Sequence, residues 1–380
     1  RKKTQNGMVM KSRIVCIISI LLLTAVFMSG CVSTPDCITE VSGISKYGHA
    51  VLDTTPENLL ASGITLGDTV TVSVGDFTQD IPYLDGFYVK SGDYLLRCTS
   101  DNSIEICINY GNIAEKHGIE IGDAVSLTLR EKGGSLFLLE IAGGQYSSNR
   151  EDFAGDEIFA NFRMVTLGGI AENTLYRSAS PINNDAGRAS VSNMLAEKAK
   201  ISSAVNLADS AEDVLHHTEK PDFSSEYYLS LFEDGKVLTS PLLNDFTSEE
   251  YISGVVAALT FLSENEPPYL VHCKEGKDRA GFTVALIGAL MGASVDEISN
   301  DYMVSYENYY GITKEDEKKY AYVEEGNIQV ILKSIAGLAE DESFDSINLQ
   351  KAAEEFVLSH GMSKESLSNL RMKLSGNEKL

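Results

Sequence analysis

One stretch of the sequence constrains the fold of this chain more than any other. A short apolar run, Tyr269–Val271, leads to Cys273, and Arg279 follows six positions later, just before a longer apolar run, Ala280–Met291. A short run, a glycine-containing loop and a long run are typical of a strand, a tight turn and a helix. The stretch therefore predicts an α/β unit built around this loop.

A cysteine and an arginine in such a loop suit chemistry on a phosphate group. The thiolate is the nucleophilic form of cysteine, and backbone amides at a helix N-terminus stabilise an anion. The same amides cradle a phosphate dianion, Arg279 can grip two of its oxygens, and Gly276 lets the backbone come close. We predict that Cys273 attacks phosphorus and that water then hydrolyses the phosphocysteine. The predicted phosphate-binding residues are Lys274, Glu275, Gly276, Lys277, Asp278 and Arg279.

Three histidines call for an interpretation. His272 either fixes the loop and tunes the thiolate of its neighbour, which is the preferred interpretation, or is a buried, hydrogen-bonded core histidine. His216 and His217 have no partner at metal-ligand spacing and are predicted to lie at the surface. Because no cluster of His, Cys and Asp in the sequence has that spacing, we expect no metal and no other cofactor.

The two halves of the chain follow different patterns. Residues 38–142 form short β-prone runs between Gly and Asp turns, and an octet that begins at Gly63 recurs at Gly118. The repeat favours two similar hairpin units in a small, barrel-like all-β domain, with chance recurrence of two common turns as the alternative. Residues 143–152 predict a polar linker. Residues 153–380 alternate helical and short apolar runs, which predicts an α/β domain whose mainly parallel sheet is flanked by helices.

Residues 1–31 predict an export signal. Basic residues precede an apolar run, Ile14–Met28, that is shorter than the ~20 residues needed to span a bilayer and fits a signal peptide. The run ends in Met28-Ser29-Gly30-Cys31, which resembles a bacterial lipoprotein box with lipid attached to Cys31. An uncleaved membrane anchor is the alternative, and both place the chain outside the cytoplasm and at a membrane.

Charge and cysteine content narrow the possible partners. The formal net charge of −24 argues against general binding of nucleic acid, so an anionic substrate must be held by a local positive site. Cys98 and Cys107 flank a turn signal, and they either form a disulfide across a hairpin or remain two free thiols.

Several segments around the phosphate loop match a known family. They are Asn161-Phe162-Arg163, Gly168-Gly169, Leu175-Tyr176-Arg177-Ser178 and Gly276-Lys277-Asp278-Arg279. The chain from Asn161 onward resembles the cysteine-dependent protein tyrosine phosphatase superfamily, in the branch of the secreted mycobacterial tyrosine and phosphoinositide phosphatase. The resemblance implies hydrolysis of phosphotyrosine, and Arg177 is expected to support the site from beneath. Lys274 and Lys277 are similar to lysines of phosphoinositide 3-phosphatases and extend the expected substrates to phosphoinositides and inositol phosphates. The alternative is that these lysines point to solvent or pair with Glu275.

The resemblance also bears on the general acid, which needs to be a carboxylic acid on a mobile loop that faces Cys273. Asp234, after the predicted strand Tyr227–Phe232, resembles the acid position of the family and is the predicted acid. Asp245 is the other candidate for the general acid. For both Asp234 and Asp245, an ordinary turn aspartate is an equally good interpretation. Asp278 can either take part in catalysis or only accept hydrogen bonds within the loop.

One position departs from the family. Ala280 stands where the family has Thr or Ser, whose hydroxyl helps the sulfur to leave, so phosphoenzyme hydrolysis is expected to be slower. Thr283, one helical turn further on, can substitute. The departure keeps open a catalytically weak, phosphate-binding pseudophosphatase or a surface binding protein, whereas an arginine at the sixth position favours phosphate over sulfurtransferase chemistry.

A second, shorter resemblance covers residues 104–125. Ile106, Asn109, Gly111-Asn112 and the segment from Gly118 to Asp123 resemble the C-terminal barrel domain of the S-adenosyl-L-methionine hydroxide adenosyltransferase family. It implies a binding or spacer module, without an active site of its own.

Overall fold

The computed structural model describes residues 36–243, 245–339 and 341–376. The predicted signal segment, with the predicted lipidation site Cys31, lies outside the described residues. Within them, no helix combines the length and the apolar character needed to cross a membrane.

The first part of the described chain is a closed barrel of seven strands. Its strands are β1 (Cys37–Ile44), β2 (Ala50–Leu52), β3 (Thr69–Val74), β4 (Phe77–Leu84), β5 (Tyr94–Cys98), β6 (Ile104–Ile108) and β7 (Ala124–Glu131), and its helices are α1 (Pro56–Ala61), α2 (Ile113–His117) and α3 (Leu136–Ala142). The strands follow the order β1-β2-β6-β5-β4-β3-β7, and β7 pairs with β1 to close the barrel. The all-β expectation therefore holds for the sheet, with three short helices added.

The repeated octet builds two equivalent corners of the barrel. In each copy a short helix ends, a Gly-Asp turn follows, and β3 or β7 begins. The Asp68 carboxylate accepts from the Thr65 amide at 2.7 Å, and the Asp123 carboxylate accepts from the Glu120 amide at 2.8 Å. Since β3 and β7 are antiparallel, with Thr69 opposite Glu131 and Val74 opposite Val125, the two corners lie at opposite ends of this strand pair.

The second part is a sheet covered by helices. Its strands are β8 (Arg163–Met164), β9 (Leu175–Ser178), β10 (Ser203–Asn206), β11 (Val237–Thr239) and β12 (Tyr269–His272). Its helices are α4 (Asp156–Phe159), α5 (Ala189–Lys198), α6 (Ala211–Thr218), α7 (Glu226–Glu233), α8 (Glu249–Glu264), α9 (Asp278–Leu290), α10 (Val295–Tyr310), α11 (Glu317–Val323), α12 (Val330–Ala336), α13 (Leu349–Ser359) and α14 (Lys364–Leu374). The strand order is β11-β10-β12-β9-β8, with parallel pairing from β11 through β9 and an antiparallel edge at β8.

The strand predicted at Tyr227–Phe232 is wrong, because this segment forms α7. Its tyrosines and phenylalanine favour a strand by propensity, but Tyr228, Leu231 and Phe232 recur at i, i+3 and i+4 and pack together on one face. The packing of that face outweighs the propensity.

Residues 143–149 join the two parts without regular structure, and a turn of 3-10 helix follows at Arg150–Asp152. The barrel also contacts the second part directly. The Tyr322 hydroxyl donates to the Tyr88 carbonyl at 2.8 Å, and the Phe137 and Tyr322 rings lie 5.6 Å apart.

Cys98 and Cys107 are free thiols, which settles the two alternatives. In the antiparallel pair of β5 and β6, Cys98 lies opposite Ile104 and Cys107 lies opposite Leu95. Because side chains alternate along a strand, the two thiols point to opposite faces and cannot form a disulfide in this register.

Candidate active site

Cys273 follows β12 directly and is buried, with 3% of its surface exposed. The loop from Lys274 to Lys277 then leads into α9, so the cysteine lies at the carboxyl end of a central parallel strand and at the N-terminus of a helix. Gly276 has φ +68°, and a Cβ there would lie 2.1 Å from the Ser178 carbonyl oxygen. This turn therefore needs glycine.

The backbone of the loop is arranged to bind an anion. Among the residues that the structure describes, no acceptor receives a hydrogen bond from the backbone amides of residues 274–279. Amide groups that are enclosed and yet unpaired are rare in proteins, and a run of them at a helix N-terminus is typical of a phosphate nest.

Arg279 is held in place by two loops at the same edge of the sheet. Its Nη1 donates to the Leu207 carbonyl at 3.1 Å and to the Leu242 carbonyl at 3.0 Å. Leu207 follows β10 and Leu242 follows β11. Within the described chain no hydrogen bond uses Nε or Nη2, so these two donors are available for a bidentate contact with phosphate.

Arg177 lies beneath the loop. Its guanidinium is fully buried and donates to the Gly276 carbonyl at 2.8 Å and to the Lys277 carbonyl at 3.0 Å. Asp301 accepts from Arg177 at 2.7 Å and from Arg163 at 2.8 Å. Burial opposes ionisation of Asp301, but the two guanidinium groups outweigh it and lower its pKa to about 2. The two arginines and Asp301 form a charged base under the loop.

Three loop side chains predicted to bind phosphate contact one another and nearby tyrosines. The Lys277 ammonium is 3.2 Å from the Tyr310 hydroxyl and forms ion pairs with Glu275 at 3.5 Å and Asp278 at 3.7 Å. The Asp278 carboxylate is 3.5 Å from the Tyr306 hydroxyl. Each of the three side chains therefore has partners within the protein.

Glu275 is held by residues that sequence reasoning did not assign. Its carboxylate accepts from the Tyr146 hydroxyl at 2.6 Å, and its carbonyl accepts from the Tyr309 hydroxyl at 2.7 Å and from Asn161 at 3.1 Å. Tyr146 belongs to the predicted linker. An aromatic ring in such a polar segment is a signal, not used in the sequence analysis, that the segment packs against the rest of the protein.

Lys274 extends away from the base of the site. Its ammonium lies 3.3 Å from the Asp185 carboxylate, which also pairs with Lys220 at 3.2 Å. All three side chains are partly exposed. Lys274 and Lys220 therefore form a small basic pair beside the loop, with Asp185 between them.

His272 is buried, and its Nε2 lies 2.7 Å from the Tyr228 hydroxyl. Burial lowers its pKa to about 4, although the nearby Asp209 opposes that shift. The ring is therefore neutral at neutral pH. It is the buried, hydrogen-bonded histidine of the second interpretation, and it places no positive charge beside Cys273.

Asp234 lies at the wrong edge of the sheet for the predicted role of general acid. Val237, the first residue of β11, is level with Ala204 and through it with Leu270 of β12. Cys273 lies three residues beyond Leu270, about 10 Å along the strand, and Asp234 precedes Val237. Asp234 lies there because the element before it is α7 and not a strand that ends at the loop.

Asp245 lies on the correct side. β11 ends at Thr239, which is level with His272, so the segment after it begins beside the phosphate loop. The segment is fixed at Leu242, whose carbonyl accepts from the loop arginine, and at Phe246, whose ring stacks on α9 at 5.9 Å. Asp245 is exposed between these two anchors.

Asp209 supports the loop that follows β10. It is buried and accepts from Asn206 at 3.1 Å and from Asn183 at 3.2 Å, and His217 lies 3.3 Å away. His217 is thus buried, contrary to its predicted surface position, whereas His216 is exposed. The Asn-x-x-Asp spacing at a strand end is a turn signal that could have identified this support.

The hydroxyl of Thr283 does not replace the missing one at Ala280. It donates to the Arg279 carbonyl at 3.1 Å, one turn back along α9. Ala280 and Thr283 are both fully buried. The donor proton of Thr283 is therefore used within the helix.

Comparison with known proteins adds a family match. The model of the tyrosine phosphatase family matches residues 160–376, which include the whole phosphate loop. No curated protein matches the chain.

Three solved structures are similar in part. The core catalytic domain of the PP-IP phosphatase SIW14 from S. cerevisiae is 18% identical, with 51% of this chain and 95% of that chain covered and a TM-score of 0.27. P. aeruginosa TpbA is 19% identical, with 42% and 84% covered and a TM-score of 0.25. An uncharacterized conserved protein from Thermotoga maritima is 22% identical, with a TM-score of 0.23, and the match covers 24% of this chain and 35% of that protein.

Proposed function

The chain belongs to the tyrosine phosphatase family, and we propose that it hydrolyses phosphate monoesters through a phosphocysteine on Cys273. One observation carries the proposal. The backbone amides of residues 274–279, between Cys273 and the first turn of α9, donate to no acceptor in the described chain and so leave a row of donors for a phosphate next to Cys273. Arg279 adds two donors to the same position.

The reaction proceeds in two balanced steps. The Cys273 thiolate attacks phosphorus, the S–P bond forms, and the P–O bond to the leaving group breaks with its electron pair moving to oxygen. An acid protonates that oxygen as it leaves. Water then attacks phosphorus and gives a proton to the conjugate base of that acid, the S–P bond breaks with its electron pair moving to sulfur, and inorganic phosphate and the thiolate are released. Amides and guanidinium stabilise the charge on the equatorial oxygens in both steps.

We assign the acid role to Asp245. Its loop is anchored on both sides by the contacts of Leu242 and Phe246, and its carboxylate is exposed between them on the side of the sheet where Cys273 lies. The test is the pH dependence of kcat/KM for an aryl phosphate with a poor leaving group. Asp245→Asn should remove one limb of the profile, and Asp234→Asn, the matched control, should leave it unchanged.

The proposed substrates are phosphotyrosine and, in addition, phosphoinositides or inositol phosphates. Lys274 and Lys220 provide the positive charge for a second phosphate, although Asp185 partly neutralises them, and Lys277 is engaged elsewhere. The resemblance to the secreted mycobacterial branch points to the same two substrate classes. Lys220→Met and Lys274→Met should reduce kcat/KM for an inositol polyphosphate more than for a phosphotyrosine peptide.

The proposal places the enzyme outside the cytoplasm as a lipoprotein anchored through Cys31, with the barrel as a binding or spacer module. Metabolic labelling with a radioactive fatty acid tests the anchor, since Cys31→Ser should abolish incorporation. The resemblance of residues 104–125 to the adenosyltransferase barrel domain supports a module without its own active site.

The decisive test of activity is hydrolysis of an aryl phosphate by the wild type and by Cys273→Ser. We expect vanadate-sensitive turnover in the wild type and loss of that turnover in the variant. A pseudophosphatase is the second candidate, favoured by Ala280 and by the engaged hydroxyl of Thr283. It would bind phosphate with equal affinity in both proteins and turn over in neither.

A further inference from the structure

Three side chains with metal-binding atoms meet on the outer face of the barrel. The His49 Nδ1 lies 3.3 Å from the Glu105 Oε2, and the Cys107 Sγ lies 3.7 Å from the same oxygen. All three potential ligand atoms lie within 4.8 Å of one another. Residues distant in sequence are brought together here by the barrel, which is why their spacing predicted no metal site.

The pairing of β2 with β6 explains why His49, Glu105 and Cys107 lie close together. β2 and β6 are antiparallel, with Ala50 opposite Ile106 and Val51 opposite Glu105, so His49 continues the ladder next to Cys107. Glu105 and Cys107 are two residues apart and share a face. Ile106 points to the opposite side, into the barrel core. Two members of the cluster therefore lie on β6, and His49 directly precedes the strand paired with it.

The two separations that involve the Glu105 oxygen match those around a tetrahedral zinc ion. Zinc bonds of about 2.0–2.1 Å to nitrogen and oxygen and about 2.3 Å to sulfur place nitrogen about 3.3 Å from oxygen and sulfur about 3.6 Å from oxygen. The two distances to the Glu105 oxygen are 3.3 Å and 3.7 Å. An imidazole, a thiolate and a carboxylate form a donor set suited to zinc, whereas calcium and magnesium prefer oxygen alone.

The cluster is enclosed but has access from one side. His49 and Cys107 are buried and Glu105 is half-buried. His49 also lines a cavity of about 670 Å³ whose other walls include Tyr47, Phe87 and Tyr110. Of the three cluster residues, only His49 lines this cavity, so the cavity reaches the cluster at the imidazole.

We propose that His49, Glu105 and Cys107 bind one zinc ion on the barrel, with the fourth position directed to the cavity. On binding, the Cys107 thiol gives its proton to solvent and its sulfur bonds to the metal, without any change of oxidation state. This zinc site does not include any residue of the phosphate loop, so the proposal does not depend on the proposed phosphatase activity.

Arg97 defines the competing interpretation. Its guanidinium lies 3.4 Å from the same Glu105 oxygen, and His49 also pairs with that oxygen. Without a metal, the three residues form an ion-pair network around one carboxylate. The experiment must therefore distinguish a metal site from this network.

The test is zinc binding by the full chain carrying Cys273→Ser, which removes the competing catalytic thiol. Equilibrium dialysis with metal analysis should give one tightly bound zinc per chain. Loss of an outer-shell partner typically weakens binding about 10–100-fold, so loss of a ligand in His49→Ala or Glu105→Gln should exceed 100-fold. Cobalt substitution adds a direct readout, because Cys107→Ser should remove the thiolate-to-cobalt absorption band.

Cys98→Ser is the matched control. Cys98 is a free thiol on the neighbouring strand whose side chain points to the other face, so this variant should keep both the zinc and the cobalt band. Melting temperatures in metal-free buffer, measured with and without added zinc, separate loss of the site from loss of the fold. Zinc should raise the melting temperature of the Cys273→Ser protein but not that of its Glu105→Gln derivative. Binding that is weak, or equal in all variants, identifies an ion-pair network only and overturns the proposal.

Discussion

The hydroxyl of Tyr146 donates a hydrogen bond of 2.6 Å to the carboxylate of Glu275, which joins the segment between the two domains to the phosphate loop. The Tyr146 ring packs on Tyr309 at 4.7 Å, and Tyr309 in turn donates to the Glu275 carbonyl. Burial and the Glu275 carboxylate raise the pKa of Tyr146, so its hydroxyl remains a donor. The connection therefore holds the Glu275 side chain away from the anion site.

Tyr146→Phe removes this hydrogen bond and keeps the ring packing. The freed negative charge of Glu275 can then approach the bound phosphate, so KM for a phosphate monoester should rise about tenfold, with a smaller effect on kcat. Glu275→Gln removes the charge, so adding Tyr146→Phe to it should change KM little. An equal effect of Tyr146→Phe in both backgrounds would show that it acts only through packing.

Two glycines with nearly equal φ angles allow a controlled test of the backbone of the phosphate loop. A Cβ at Gly276 would lie 2.1 Å from the Ser178 carbonyl oxygen, whereas a Cβ at Gly235 has open space, and their φ values are +68° and +69°. Gly276→Ala should lower kcat/KM more than about 100-fold because the anion site is displaced. Gly235→Ala should keep full activity, and similar activities of the two variants would contradict the role of the loop.

Ala280→Ser restores a hydroxyl next to the attacking sulfur. A hydrogen bond to a charged group contributes about 1.5–3 kcal/mol, so hydrolysis of the phosphoenzyme should become at least about tenfold faster. In stopped-flow traces the initial burst of released alcohol should shrink while kcat rises. Thr283→Val, whose hydroxyl is engaged by the Arg279 carbonyl, should change neither quantity. If Ala280→Ser also leaves both unchanged, the first step limits turnover.

The lowered pKa of Asp301 predicts how the free energy of unfolding depends on pH. An unfolded aspartate has a pKa near 3.9, and the folded value is about 2. The stabilisation is therefore complete above about pH 4 and is lost as the pH falls toward 2, by about 2–3 kcal/mol. Urea unfolding of the wild type should show this loss, and Asp301→Asn should show much less of it. If the free energy of unfolding fell equally with pH in both proteins, the Asp301 carboxylate would be excluded as the cause of the loss.

Local patterns were sufficient to predict the strand, turn and helix around Cys273 but not the position of Asp234. Strand, turn and helix around Cys273 follow from apolar run lengths and one glycine, and the family match covers them. The acid requires knowledge of which edge of the sheet a loop reaches. The segment before Asp234 has the composition of a strand, but its apolar residues have the spacing of a helix. The position of Asp234 therefore depends on packing that sequence propensity does not encode.

Contacts between distant residues were not predictable for a different reason. The Lys277 ammonium contacts Tyr310 and Glu275, and Tyr310 comes from a helix more than thirty residues later in the chain. The His49, Glu105 and Cys107 cluster likewise exists only once β2 and β6 pair. Such relationships depend on register and topology rather than on spacing.

The central claim is that Cys273 is held as a reactive thiolate in a nest that binds phosphate. The most direct measurement is the rate of alkylation of each cysteine by iodoacetate at neutral pH, resolved by peptide mass spectrometry. Cys273 should react much faster than a simple thiol and faster than the more exposed Cys98, and inorganic phosphate should slow its reaction. Alkylation of Cys273 at the rate of a simple thiol, without protection by phosphate, would contradict the account.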